Sequence, residues 1–96
     1  MKLSIKVKEI KGQCPVYQVG DEFWLEQGYI LNPPASRGIC MHSLASIMPY
    51  YVALSRGVKP KDLGLAEADD DCAYLQCLNP CEYTGGGTVV FQVKCS

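Results

Sequence analysis

Apolar and polar residues alternate at the start of the chain, with Leu3, Ile5 and Val7 on one face of a period-two stretch and Lys2, Ser4, Lys6 and Lys8 on the other. That period sends one set of side chains to a core and the other to water, and predicts a half-buried strand running to about Ile10. Lys11-Gly12-Gln13-Cys14-Pro15 then supplies turn residues. Val16 to Leu25 reads as extended chain interrupted at Gly20-Asp21, with a second strand at Phe23 to Leu25. Gly28 to Gly38 contains Asn32-Pro33-Pro34 and two glycines; it is expected to be a surface loop covering one end of the sheet.

From Cys40 to Arg56 the residues Leu44, Ile47, Met48, Tyr51 and Leu54 recur at spacings of three and four. They predict a helix with one buried stripe that stops at Gly57. Pro49 lies inside the stripe, removes one main-chain hydrogen bond, and either kinks the helix or divides it. Lys59 to Asp71 is polar and reads as a solvated linker, with room for a helical turn around Lys61 to Leu65. Cys72 to Leu78 and Thr88 to Lys94 are strand-like runs joined by the glycine-rich Asn79 to Gly87, so a hairpin with a long connection is expected. The predicted order is ββαββ. A single helix must then cover one face of a mainly antiparallel sheet for either to bury its apolar side, and the 96 residues hold one such α+β domain, spanning 1–96.

Composition fits that picture and narrows the function. Hydrophobic residues make up 48% and charged residues 20%, which excludes a disordered chain. Nine basic against ten acidic side chains leave no positive face of the kind nucleic acid requires. The alternating start lacks the continuous apolar core of a signal peptide, and no apolar run approaches the roughly eighteen residues that span a bilayer. The expectation is a cytoplasmic protein with neither nucleic acid nor membrane as partner. In that compartment thiols stay reduced, so six cysteines in so short a chain point to metal or sulfur chemistry ahead of disulfides.

Three of the six fall at element ends. Cys14 follows the first strand, Cys40 opens the helix, and Cys77 closes the third strand. If the first and third strands run in the same direction, their carboxyl ends share one edge of the sheet and bring Cys14 and Cys77 together. Cys81, four residues beyond Cys77, comes within reach on the hairpin connection. Soft sulfur ligands of this kind suit zinc or an iron–sulfur cluster, although Cys72-x4-Cys77-x3-Cys81 lacks the paired C-x2-C of zinc ribbons. The expected metal ligands are Cys14, Cys40, Cys77 and Cys81. Cys40 has a further property: at a helix N-terminus near Arg37 it would favour thiolate. His42, the only histidine, stands two residues on, does not face Cys40 on a helix, and reads as a surface side chain. With Cys77 opposite Val90 in the hairpin, Cys72 would face Cys95 as a separate pair.

Gly85-Gly86-Gly87 lacks the lysine and following helix of a phosphate-binding loop, and Asp69-Asp70-Asp71 lacks the alternating ligands of a calcium loop. Both read as solvated loop.

The ordered combination of Cys14-Pro15, Val19-Gly20-Asp21-Glu22-Phe23, Gly38-Ile39-Cys40 leading to Met48-Pro49-Tyr50, and Cys77 before Val89-Val90-Phe91-Gln92-Val93 resembles a family of small uncharacterised cysteine-containing proteins, mostly from anaerobic bacteria and archaea. The resemblance carries no activity. It implies that Cys14, Cys40 and Cys77 match the family's cysteines and that Cys72, Cys81 and Cys95 are particular to this chain. Anaerobic distribution favours an iron–sulfur cluster over zinc. Three thiolates with an open position fit a reactive metal site, Cys81 would close it into a structural one, and an oligomer would share ligands across its axis. Two other functions compete: a thiol redox or sulfur-transfer protein in which Cys40 is the nucleophile and another cysteine resolves it, and a binding subunit of a larger enzyme, or a homo-oligomer, with the Phe23, Trp24 and Tyr50 region as contact surface.

Overall fold

The computed structural model describes residues 2–33, 38–67 and 71–95. The alternating start forms strand β1, Lys2–Gly12, followed by β2, Glu22–Glu26, and a short β3, Ile30–Asn32. Two helices follow, α1 at Met41–Ile47 and α2 at Tyr51–Ser55, then a 3₁₀ turn at Pro60–Leu63. Strand β4, Cys72–Gln76, a one-turn helix α3, Cys81–Thr84, and β5, Gly87–Cys95, complete the described chain. One sheet holds all five strands in the order β3-β2-β1-β5-β4, every pairing antiparallel.

The α+β class agrees with the sequence; the ββαββ order and its single helix do not. Ile30 and Leu31 lie in the segment expected to be loop, yet they pair with Glu26 and Leu25 as an edge strand, which Pro33 ends by withholding a main-chain donor. Pro49 divides the expected helix in two: Leu54 N–H bonds to Tyr50 O as a new first turn begins. The polar stretch after Gly57 is not free linker, because Leu65 O accepts the Tyr74 N–H at 2.8 Å and lies along β4. Asn79 to Gly87 carries α3. Pro34 to Arg37 and Asp69-Asp70 lie outside the described residues.

Leu3, Ile5, Val7, Val89, Phe91, Val93, Ala73 and Leu75 form the buried face of the sheet, with Ile47 and Leu54 of the helices over it. The alternation seen in the sequence therefore sets which face is covered. At its centre three rings meet: Tyr17 stacks on Phe23 at 6.1 Å, and Phe91 meets both edge-on at 5.7 and 6.2 Å. On the opposite face Lys2 lies 5.2 Å over the Trp24 ring. Among the described residues no helix is long and apolar enough to cross a membrane.

The helical stripe is rotated from its expected position. Met48 is 55% exposed, whereas Ser43 is completely buried. A serine fits there because its hydroxyl bonds back to the Cys40 carbonyl at 2.7 Å, which satisfies it without water.

A thiol-bearing end of the sheet

Strands β1 and β4 each run antiparallel to β5, so they point the same way and their carboxyl ends share one end of the sheet. Gly87, the first residue of β5, stands between them. Its α-carbon is so close to the chain leaving β1 that a methyl group there would lie 2.7 Å from the Gln13 carbonyl carbon and 2.8 Å from the Cys14 nitrogen. On the other side, Gly87 O lies 3.7 Å from the Cys77 sulfur. Cys14 and Cys77 therefore flank one glycine.

Each cysteine has its own surroundings. Cys77 is 7% exposed and belongs to the core; its sulfur accepts the Val89 N–H at 3.2 Å and faces Gly87 O as acceptor for its own hydrogen. Cys81 opens α3 and packs on Gly12, where a methyl group would meet its sulfur at 2.6 Å. It borders a recess with Lys11, Gln76 and Thr88, and its N–H reaches the Thr88 hydroxyl at 3.3 Å. Cys14 is partly buried, its sulfur accepting the Tyr17 N–H at 3.4 Å. Cys40, also partly buried, precedes α1 in extended conformation, with φ −75° and ψ 133°. These four and Cys95 are free thiols. Among the described residues, no three His, Cys, Asp or Glu side chains gather closely enough to hold a metal ion.

Tyr17 joins two of the four. Its hydroxyl accepts the Cys40 N–H at 2.9 Å and lies 2.7 Å from the Ser43 hydroxyl. Because Ser43 gives its only hydrogen to Cys40 O, Tyr17 is the donor to Ser43. The ring Cys40 N–H to Tyr17, Tyr17 to Ser43, Ser43 to Cys40 O closes on itself. Pro15 and Val16 from one segment and Gly38 and Ile39 from the other line a single surface cleft, which places the segments carrying Cys14 and Cys40 near each other. Sequence reasoning missed Tyr17 and Ser43: one sits in an aperiodic loop, the other is a polar residue in a helix whose visible signal was its apolar stripe.

Burial pushes the Tyr17 phenol above its ordinary value of 10.0. Hydrogen bonds to Ser43 and from Cys40 N–H pull it partly back, and charge on Cys40 and Cys14 pushes it up again. Above about pH 10 the unfolded chain releases this proton while the folded chain keeps it, so stability falls as pH rises toward the folded-state value. Urea unfolding at about pH 9 and about pH 11 is expected to show a steeper loss for the natural chain than for Tyr17→Phe; equal losses would contradict the assignment.

Other expected features lie elsewhere. His42 is exposed. Arg37, invoked beside Cys40, is outside the described residues. Cys72 stands opposite Lys94, and Gln76 opposite Val90, one residue out of the predicted register, so Cys72 and Cys95 are on opposite faces of the sheet and are not partners. Cys72 instead receives the Gln92 side-chain N–H at 3.4 Å. Phe23 is fully buried and offers nothing to a contact surface. A separate apolar cavity of about 180 Å³ lies between the helices and the sheet, lined by residues such as Phe23, Leu31, Leu44 and Tyr51, and no cysteine borders it.

No family model, curated protein or solved structure matches the chain.

Proposed function

We propose that this protein works through two thiols, Cys14 and Cys40, in thiol–disulfide exchange or sulfur transfer. One observation carries the reading: a single buried residue, Tyr17, binds the Cys14 sulfur with its main-chain amide and the Cys40 main chain with its side-chain hydroxyl. Both cysteines are partly exposed, unlike the buried Cys77, so a reagent can reach them. In exchange, the Cys40 thiolate attacks a disulfide, forms a mixed disulfide and expels one thiol. Cys14 then attacks the Cys40 sulfur and expels the second, so two protein thiols become one disulfide as the oxidant's disulfide becomes two thiols. The reading places the protein in a reducing compartment, the cytoplasm, and keeps the likeness to small cysteine-containing proteins of anaerobes. Exposed Tyr29, Met48 and Val52 offer surface to a protein partner or a second copy.

A metal reading is supported by a different observation, the placement of cysteines around one end of the sheet. Zinc or an iron–sulfur cluster on Cys14, Cys40 and Cys77, with Cys81 as fourth ligand, fits the soft donor set. It requires sulfurs that do not form a group here to close to about 2.3 Å from one point.

One preparation separates the two. Protein purified without oxygen is assayed for zinc, iron and acid-labile sulfide, then titrated with oxidised glutathione and mapped by mass spectrometry. The thiol reading expects metal-free protein in which Cys14 and Cys40 are the first pair to link. Stoichiometric metal that protects these thiols from alkylation would transfer the assignment to the metal reading, and random pairing would remove the first.

A further inference from the structure

We propose that Tyr17 is the positioning residue of the thiol pair, its main-chain amide holding the Cys14 sulfur and its hydroxyl holding the main chain of Cys40. The inference rests on the thiol reading above and specifies how the two groups are kept in register.

A buried tyrosine needs one hydrogen-bond partner for its hydroxyl. Tyr17 has two, the Cys40 N–H and Ser43, and Ser43 returns its hydrogen to Cys40 O. Both ends of the ring close on one cysteine, on the N–H and the C=O of the residue that starts α1. The phenol itself is held firmly: it is 3% exposed and packed against Phe23 and Phe91. Cys40 is thus anchored to the sheet core through a rigid ring, while Cys14 is anchored three residues back on the same residue's amide. Side chain and main chain of one tyrosine set the two positions separately.

That separation makes the test specific. Tyr17→Phe keeps the ring and the amide and removes only the hydroxyl, so it releases Cys40 and leaves the Cys14 anchor intact. With the fold verified by circular dichroism, iodoacetamide labelling read by mass spectrometry is expected to show Cys40 reacting several-fold faster and Cys14 unchanged. The equilibrium constant for Cys14–Cys40 disulfide formation against glutathione is expected to fall by up to about tenfold, the equilibrium worth of one hydrogen bond. Ser43→Ala, which opens the same ring while retaining Tyr17, is expected to shift Cys40 in the same direction, and it keeps the proposal testable if Tyr17→Phe does not fold. A parallel change at both cysteines would reveal general loosening, and no change at either would show that the hydroxyl holds nothing; both overturn the positioning role. A natural chain that forms no Cys14–Cys40 disulfide sinks the thiol reading instead, and the labelling comparison tells the two failures apart.

Discussion

Phe91→Ala is expected to lower the unfolding free energy by about 3–5 kcal/mol, the range for deleting a large buried ring. Phe91 is completely buried and meets both Tyr17 and Phe23 edge-on, so its loss opens a cavity under two other rings and removes aromatic contacts in addition to buried area. A domain of this size has a total stability of about 5–15 kcal/mol, and much of it goes with one side chain. The consequence reaches the thiols, because Tyr17 loses the surface against which its hydroxyl is aimed at Cys40. Urea unfolding measures the first effect and Cys40 labelling the second. A loss below about 1 kcal/mol would mean that the three rings do not form the packed centre of the core.

The sequence disclosed those parts of the fold that depend on local period. β1 was visible because alternation marks a sheet with one covered face, β2, β4 and β5 as short apolar runs bounded by turn residues, and the shared direction of β1 and β4 follows from an antiparallel sheet with β5 between them. The hairpin register was not visible. Its connection contains α3, and the Thr88 hydroxyl bonds Asn79 O at 2.6 Å and receives Cys81 N–H. Those side-chain bonds, and not the length of the loop, fix which residues face each other, so Cys72 moved off Cys95 by one position. β3 escaped because two apolar residues followed by Asn32-Pro33 give no measurable period. At the site, the cysteines were legible as residues but their roles were not. Their grouping at one end came from topology, yet Cys77 is set apart by the main chain of Val89 within the sheet, and Cys40 by Tyr17 and Ser43, which meet only when α1 lies over the sheet.

Gly87→Ala is expected to cost about 1–3 kcal/mol, as overpacking does in a close-packed interior, and to loosen Cys14 selectively. The new methyl group would lie within 2.9 Å of the Gln13 carbonyl carbon and oxygen and the Cys14 nitrogen, all main-chain atoms that cannot rotate away as a side chain would. Relief must come from moving the chain that leaves β1 away from β5, and Cys14 is the first thiol on that chain. Cys77 should shift less, since its N–H is held by Val89 O at 2.9 Å and its sulfur by the Val89 N–H, one pairing further into the sheet. Comparing labelling of Cys14 and Cys77 in the natural and variant chains, alongside urea unfolding, isolates the effect. Faster labelling confined to Cys14 would show that close approach at Gly87 holds the first thiol against the sheet. Unchanged stability with unchanged labelling would show that β1 and β5 do not approach there so tightly, and the common end of β1 and β4 would lose the contact that brings Cys14 and Cys77 beside one glycine.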